Sequence, residues 1–245
     1  MYVRSSGGKD ARPVLFLHGG GVAGWMWEPT MERLPAGLRL IVPDLPGHDR
    51  SSAERYVSHD QTVSELASVV ERETERPVTV VGFSLGAQLA ILLAASRPDL
   101  VERVAVVSAQ AKPTRAPALT LGLLSASAPL AKRQWFAKLQ ATALFIPAPL
   151  MSDYLRTSAH ISRETLLTTV SENIRFTEPP GWAMFPGAAL ILAGTGERGF
   201  MKKSALSLNE SLPGSELEIV DGCGHGIPLQ RPDWFAQRLR SWLAP

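Results

Sequence analysis

Cysteine occurs once in this sequence, at position 223, so no disulfide can form within the chain. That scarcity suits a reducing compartment. No apolar run approaches the roughly 20 residues that a membrane-spanning helix needs. Residues 1–8 lack the apolar core of a secretory signal. The chain is therefore expected to be soluble and cytoplasmic, without membrane insertion. Basic residues never run beyond two in a row and the formal net charge is +2, so no nucleic-acid partner is expected. No internal repeat is visible. What remains is 245 residues with 45% hydrophobic content, enough for one large domain with a sizeable core.

Apolar runs and periodic stretches alternate along most of that length. Val14-Leu15-Phe16-Leu17 reads as a strand ended by His18-Gly19-Gly20-Gly21. Leu38–Val42 reads as another, closed by Pro43-Asp44-Leu45-Pro46-Gly47-His48. Ser58 and Gln61 have capping-box spacing. Val63, Leu66, Ala67 and Val70 then continue as one helical face. Val104–Val107, Ala188–Ala193 and Leu217–Val220 read as further strands. Met201, Ala205, Leu208 and Leu212 share one helical face, and Phe235, Leu239, Trp242 and Leu243 another. Such alternation predicts a mostly parallel sheet with helices on both faces. It stops between about Lys112 and Pro186, where prolines recur at 113, 117, 129, 147, 149, 179 and 180. That stretch is expected to be a helical insertion over the carboxyl edge of the sheet, with 1–111 and 187–245 as the core. Among its apolar residues are Leu119, Leu123, Leu124, Trp135, Phe136, Leu139, Leu144, Phe145, Met151, Tyr154, Leu166 and Leu167. Most should be ordinary helix core. A few should face inward and shape an apolar pocket.

The centre of the pattern is Pro77–Ala90. A β-branched run, Val78 to Val81, leads into Gly82-Phe83-Ser84-Leu85-Gly86 and then a Leu/Ala-rich helix. This G-x-S-x-G turn is tight enough to strain the serine, so the residues two before and two after it must lack bulk. The hydroxyl then stands at the carboxyl end of the sheet above a helix amino end, which favours developing negative charge. A serine needs a base to become a nucleophile at neutral pH. Of five histidines, His18, His48, His59 and His160 have structural readings. They brace a strand end, belong to a loop, start a helix and face solvent, respectively. His225 lies in the loop Asp221-Gly222-Cys223-Gly224-His225-Gly226 after the last strand, where glycines would let the ring swing over the sheet.

In its order of elements the chain resembles the α/β-hydrolase fold superfamily, in its serine hydrolase and esterase-like branch. Four features carry the likeness: His18-Gly19-Gly20-Gly21, Asp44-Leu45-Pro46-Gly47-His48, Gly82-Phe83-Ser84-Leu85-Gly86 and Gly224-His225. The resemblance implies Ser84 as nucleophile and His225 as base, with the backbone amides of Leu85 and Gly20 holding the oxyanion and Gly21 as a near alternative. It places the acid after the penultimate strand, where Gly194-Thr195-Gly196-Glu197 supplies Glu197. Asp221 is the alternative, though it lies only four residues before His225. The family usually has a glycine where this chain has Asp49. The implied activity is hydrolysis of a small apolar carboxylic ester, thioester, lactone or amide through an acyl-enzyme on Ser84. Carbon–carbon bond hydrolysis, cofactor-free haloperoxidase chemistry and acyl transfer occur on the same fold, and a non-catalytic binder would share it too. Dehalogenases and epoxide hydrolases carry Asp at the nucleophile position. Neither cofactor nor metal is implied, and the partner is a small-molecule substrate. A remote competing pattern is Gly19-x-Gly21-x-x-Gly24 with Asp44 about 20 residues on, the dinucleotide fingerprint taken literally.

Overall fold

A computed structural model of the chain describes residues 1–114, 117–127 and 134–244. Seven strands form one sheet: β1 (Val3–Ser6), β2 (Arg12–Leu17), β3 (Leu38–Pro43), β4 (Val78–Phe83), β5 (Val101–Val107), β6 (Ala188–Gly194) and β7 (Glu216–Val220). Their order across the sheet is β1-β3-β2-β4-β5-β6-β7. Only β1 runs antiparallel, with Val3 opposite Pro43 on β3. Ten helices accompany them among the described residues: α1 (Glu28–Met31), α2 (His59–Glu73), α3 (Leu85–Ser96), α4 (Pro117–Ser127), α5 (Gln134–Ala143), α6 (Met151–His160), α7 (Arg163–Arg175), α8 (Gly199–Ser211), α9 (Ile227–Gln230) and α10 (Pro232–Leu243).

Alternation along the strands explains the layers. Leu15, Leu17, Val78 and Val80 face one side and join the buried faces of α2, α3 and α8. Val14, Phe16, Val81 and Phe83 face the other and join Trp27, Phe235 and Leu239. Both faces are apolar, so both are covered. The expected helical faces are the buried ones: Val63, Leu66, Ala67 and Val70 on α2, and Phe235, Leu239, Trp242 and Leu243 on α10. Ser58 Oγ accepts the Gln61 amide at 3.1 Å, as its spacing predicts. The Gln61 side chain donates to Glu65 instead of reaching back.

The strand order places the site. The chain goes from β2 to β3 on one side, then crosses to β4 on the other. A crevice therefore opens beyond the carboxyl ends of β2 and β4, the usual ligand position in such sheets. Gly19–Gly21 come after β2 there, and Ser84 comes after β4.

Between β5 and β6 the described residues hold α4 to α7 and short 3-10 turns, and no strand. Expected apolar positions Leu119, Trp135 and Leu139 face outward, each more than 60% exposed. The side chains of Leu123, Leu124 and Phe136, and all of Pro129, lie outside the described residues. Trp25 Nε1 donates to Thr157 Oγ1 at 2.9 Å and ties α6 to the loop after β2. Arg156 on α6 pairs with Asp49 at 2.9 Å. Among the described residues, no helix is long and apolar enough to cross a membrane.

Candidate active site

Ser84 sits between β4 and α3 with φ 53° and ψ −111°. That conformation costs a side-chain-bearing residue on the order of 1–3 kcal/mol. The surrounding backbone enforces it. A Cβ on Gly82 would lie 2.3 Å from the Gly86 carbonyl oxygen, and one on Gly86 would lie 2.2 Å from that of Leu17. The turn is tight because strand, helix and the end of β2 all meet within it. Ser84 N–H donates to the Val107 carbonyl at 2.9 Å, which orients the hydroxyl upward from the sheet.

His225 reaches that hydroxyl. Its Nε2 lies 2.9 Å from Ser84 Oγ, and its Nδ1 lies 2.6 Å from Glu197 Oε1. Glu197 is buried, and its second oxygen accepts the Gly194 amide at 2.9 Å. Both oxygens therefore have a partner, and the carboxylate holds the proton of the imidazole on Nδ1. That leaves Nε2 free to accept from Ser84. Glutamate fits because the turn folds its longer side chain back over Gly194. Asp221 lies elsewhere: its Oδ1 accepts from Thr195 Oγ1 at 3.4 Å. Of the loop glycines, Gly222 takes a positive φ of 67°, and the two beside His225 provide room. Neither Gly224 nor Gly226 has a positive φ. A Cβ on either would come within 2.9 Å of the Phe145 ring. Phe145 also stands in a left-handed conformation, φ 59°.

Gly20, Gly21 and Leu85 all line a cavity of about 680 Å³ that opens at Ser84. Leu85 is the first residue of α3, where an amide has no carbonyl of its own helix to bond. A Cβ on Gly20 would sit 3.8 Å from Leu85 Cδ2, so the loop after β2 packs against the Leu85 side chain. A second cavity, about 370 Å³, opens on the side of His225 and Glu197. Ser84 and Asn173 border both. Leu144, Tyr154 and Leu166 line the larger one, as the inward-facing expectation required. Its wall also carries Gln140, Ser158 and Thr169, but the surface it presents is mainly apolar.

Asn173 had no motif to mark it. A buried polar network holds it in place. Tyr56 O–H donates to His59 Nδ1, and His59 Nε2 donates to Gln88 Oε1, both at 2.9 Å. Gln88 Nε2 then donates to the carbonyls of Gln110 and Asn173 at 2.8 and 3.1 Å. Burial lowers the pKa of His59, which keeps it a neutral link. Ser108 was equally silent. It comes directly after β5 with φ 56°, its buried hydroxyl has no partner among the described residues, and it lines the smaller cavity.

His18 and His48 brace loops, while His160 is exposed at the end of α6. His18 Nδ1 donates to the Gly19 carbonyl, and its Nε2 accepts the Leu45 amide at 2.9 Å. Burial pushes His18 down to about 4 and His48 to about 3. Asp44 Oδ1 accepts the Gly24 amide at 2.9 Å. The last glycine and the acid of the dinucleotide-like pattern thus bind each other. Gly24 opens a 3-10 turn that leads into the four-residue α1, not the long helix that such a site needs.

The model of the alpha/beta hydrolase family matches residues 14–238. The chain belongs to that family. Among its relatives in the alpha/beta hydrolase family is the Lipase LipV of Mycobacterium tuberculosis, 27% identical, with 100% of this chain and 98% of the relative aligned. Another is the (E)-2-((N-methylformamido)methylene)succinate hydrolase of Acinetobacter baylyi, 24% identical over 96% of this chain and 91% of the relative. An esterase from Exiguobacterium antarcticum shares the fold with a TM-score of 0.82, at 22% identity, over 98% of this chain and 94% of that one. The lipase and the succinate hydrolase carry hydrolase names with different substrates, and a further relative, 27% identical over 99% of this chain and 90% of its own length, is the magnesium-chelatase 30 kDa subunit of Rhodobacter capsulatus.

Proposed function

We propose that this chain is a serine hydrolase that cleaves a carboxylic ester through an acyl-enzyme on Ser84. The observation that carries the reading is the unbroken hydrogen-bonded chain from Ser84 Oγ through His225 to the buried Glu197 carboxylate. In this reading Ser84 Oγ attacks the acyl carbon while His225 Nε2 takes its proton. Glu197 stabilises the imidazolium that forms. The amides of Leu85 and Gly20 receive the oxyanion, each worth about 2.7–4 kcal/mol in the transition state. His225 then protonates the leaving oxygen, and water, deprotonated by the same imidazole, releases the acid.

The two cavities divide the substrate. The amides proposed as oxyanion donors line the larger, so it takes the acyl part. His225 lines the smaller, so it takes the alcohol that His225 must protonate. Thioesters and lactones suit the same chemistry. The lipase and succinate-hydrolase relatives support a hydrolase and leave the substrate open.

The test is Ser84→Ala assayed with a panel of nitrophenyl esters of rising chain length. Turnover should vanish while the circular dichroism spectrum is unchanged. A serine-directed fluorophosphonate should label the parent protein and not the variant. Turnover retained by the variant, or no labelling of the parent, overturns the proposal.

A further inference from the structure

The larger cavity is charged on one side only. Among the described residues that line it, Arg163 alone carries a charge. Its guanidinium donates to Ser125 Oγ, which leaves most of its five N–H donors open. It forms no ion pair with a described residue, and the undescribed residues include no Asp or Glu.

This imbalance extends beyond one side chain. No Asp or Glu occurs between Glu102 and Asp153, whereas Lys112, Arg115, Lys132, Arg133 and Lys138 do. Residues 112–186 carry eight Lys and Arg against four Asp and Glu, a net +4, and the whole chain is +2, so the remainder is −2. Three of those four carboxylates are already engaged. Asp153 pairs with Arg156, Glu164 pairs with Arg55, and Glu172 accepts the His59 amide. Those three acids are thus engaged elsewhere, and none of them neutralises Arg163, which is left to attract an anion.

Helix α7 gives the cavity a length. Arg163, Leu166, Val170 and Asn173 all line it, and their three- and four-residue spacing puts them on one face. Asn173 borders both cavities beside Ser84. Arg163 lies ten residues away, roughly 15 Å along the helix. Between them the α7 face offers Leu166 and Val170, which suit a hydrocarbon chain.

We infer that the acyl part of the substrate is an extended chain ending in an anion, a carboxylate by choice of chemistry, held by Arg163 while the ester carbonyl sits at Ser84. This rests on the serine-ester reading above. No bond is made or broken at Arg163, which selects by charge and reach.

The experiment compares nitrophenyl monoesters of adipic, suberic and sebacic acids with methyl-capped versions of the same chains. The free carboxylate should raise kcat/KM about tenfold on the longest chain, about 1.4 kcal/mol, and least on the shortest. Added salt should shrink that ratio. Arg163→Gln should bring the ratio near one, and Arg163→Lys should keep part of it. The inference fails if capped esters match the free acids at every length, or if the Gln variant keeps the preference. If no ester is hydrolysed at all, the ester reading fails first. Calorimetric binding of sebacic acid then decides the rest: tighter binding to the parent than to Arg163→Gln supports the anion site, and equal or absent binding rejects it.

Discussion

Glu197 shows how one atom can set a tautomer. Its Oε2 is committed to the Gly194 amide and its Oε1 to His225 Nδ1. Glu197→Gln keeps the shape but leaves one oxygen for two donors. The buried Gly194 N–H, which has no water to fall back on, claims that oxygen. The new NH2 group then faces Nδ1 and drives the ring proton to Nε2, where it blocks acceptance from Ser84. We expect kcat to fall by a factor on the order of 10³–10⁴ with a much smaller change in KM. Steady-state kinetics on a nitrophenyl ester checks this, and a change of less than tenfold would place the acid elsewhere. Ser84, His225 and Glu197 were legible as positions because each sits at a strand end with small neighbours in its loop. Asn173 was not, since its place depends on the hydrogen bonds of Gln88, a residue 85 positions away. The packing of the Phe145 ring against Gly224 and Gly226 was hidden for a related reason, since no local pattern announces it.

At the scale of elements, the turn that lifts Ser84 depends on three backbones meeting. Gly86→Ala would place a methyl 2.2 Å from the Leu17 carbonyl oxygen. That clash involves backbone and cannot relax by rotation of a side chain. We expect a loss of about 3 kcal/mol or more, read as a lower urea midpoint with an unchanged m-value. Gly199→Ala is the control, because a Cβ there meets nothing within 4 Å, and its midpoint should stay near that of the parent. A Gly86 variant as stable as the control would mean that α3 and β2 are not held so close. Elements with strong periodicity were legible in the same way, from α2 and α10 to the buried strands. The edge strand β1 was not. Its four residues, Val3-Arg4-Ser5-Ser6, are half or fully exposed and show no alternation, so only pairing with β3 defines them. Asp49 is the converse. It stands where the family resemblance leads one to expect glycine, takes φ 40°, and spends its carboxylate on Arg156 of α6. A contact made across the fold thus sustains a local conformation that the residue disfavours.

For the whole molecule, the loops under the site set a limit in acid. His18 and His48 are fully buried and neutral in the fold, at about 4 and about 3, whereas unfolding returns both to the ordinary 6.5 or so. Between those values the unfolded chain binds protons that the folded chain refuses. Stability is therefore complete above about pH 7 and declines as the pH falls toward 4. His18 alone amounts to about 3 kcal/mol across that window. His48 adds less than its own shift implies, because part of that shift is repulsion from a charged His18. His59, lowered by burial, acts in the same direction. Asp44 acts against them, since burial raises its pKa and lets the fold take up a proton earlier than the open chain does. Three histidines outweigh one carboxyl, so the net slope is downward in acid. Urea midpoints at pH 7.5 and pH 5 should differ, with the lower value at pH 5. Equal midpoints, or a higher one in acid, would show that the imidazoles bridging Gly19, Leu45 and Pro46 accept protons without disturbing the fold.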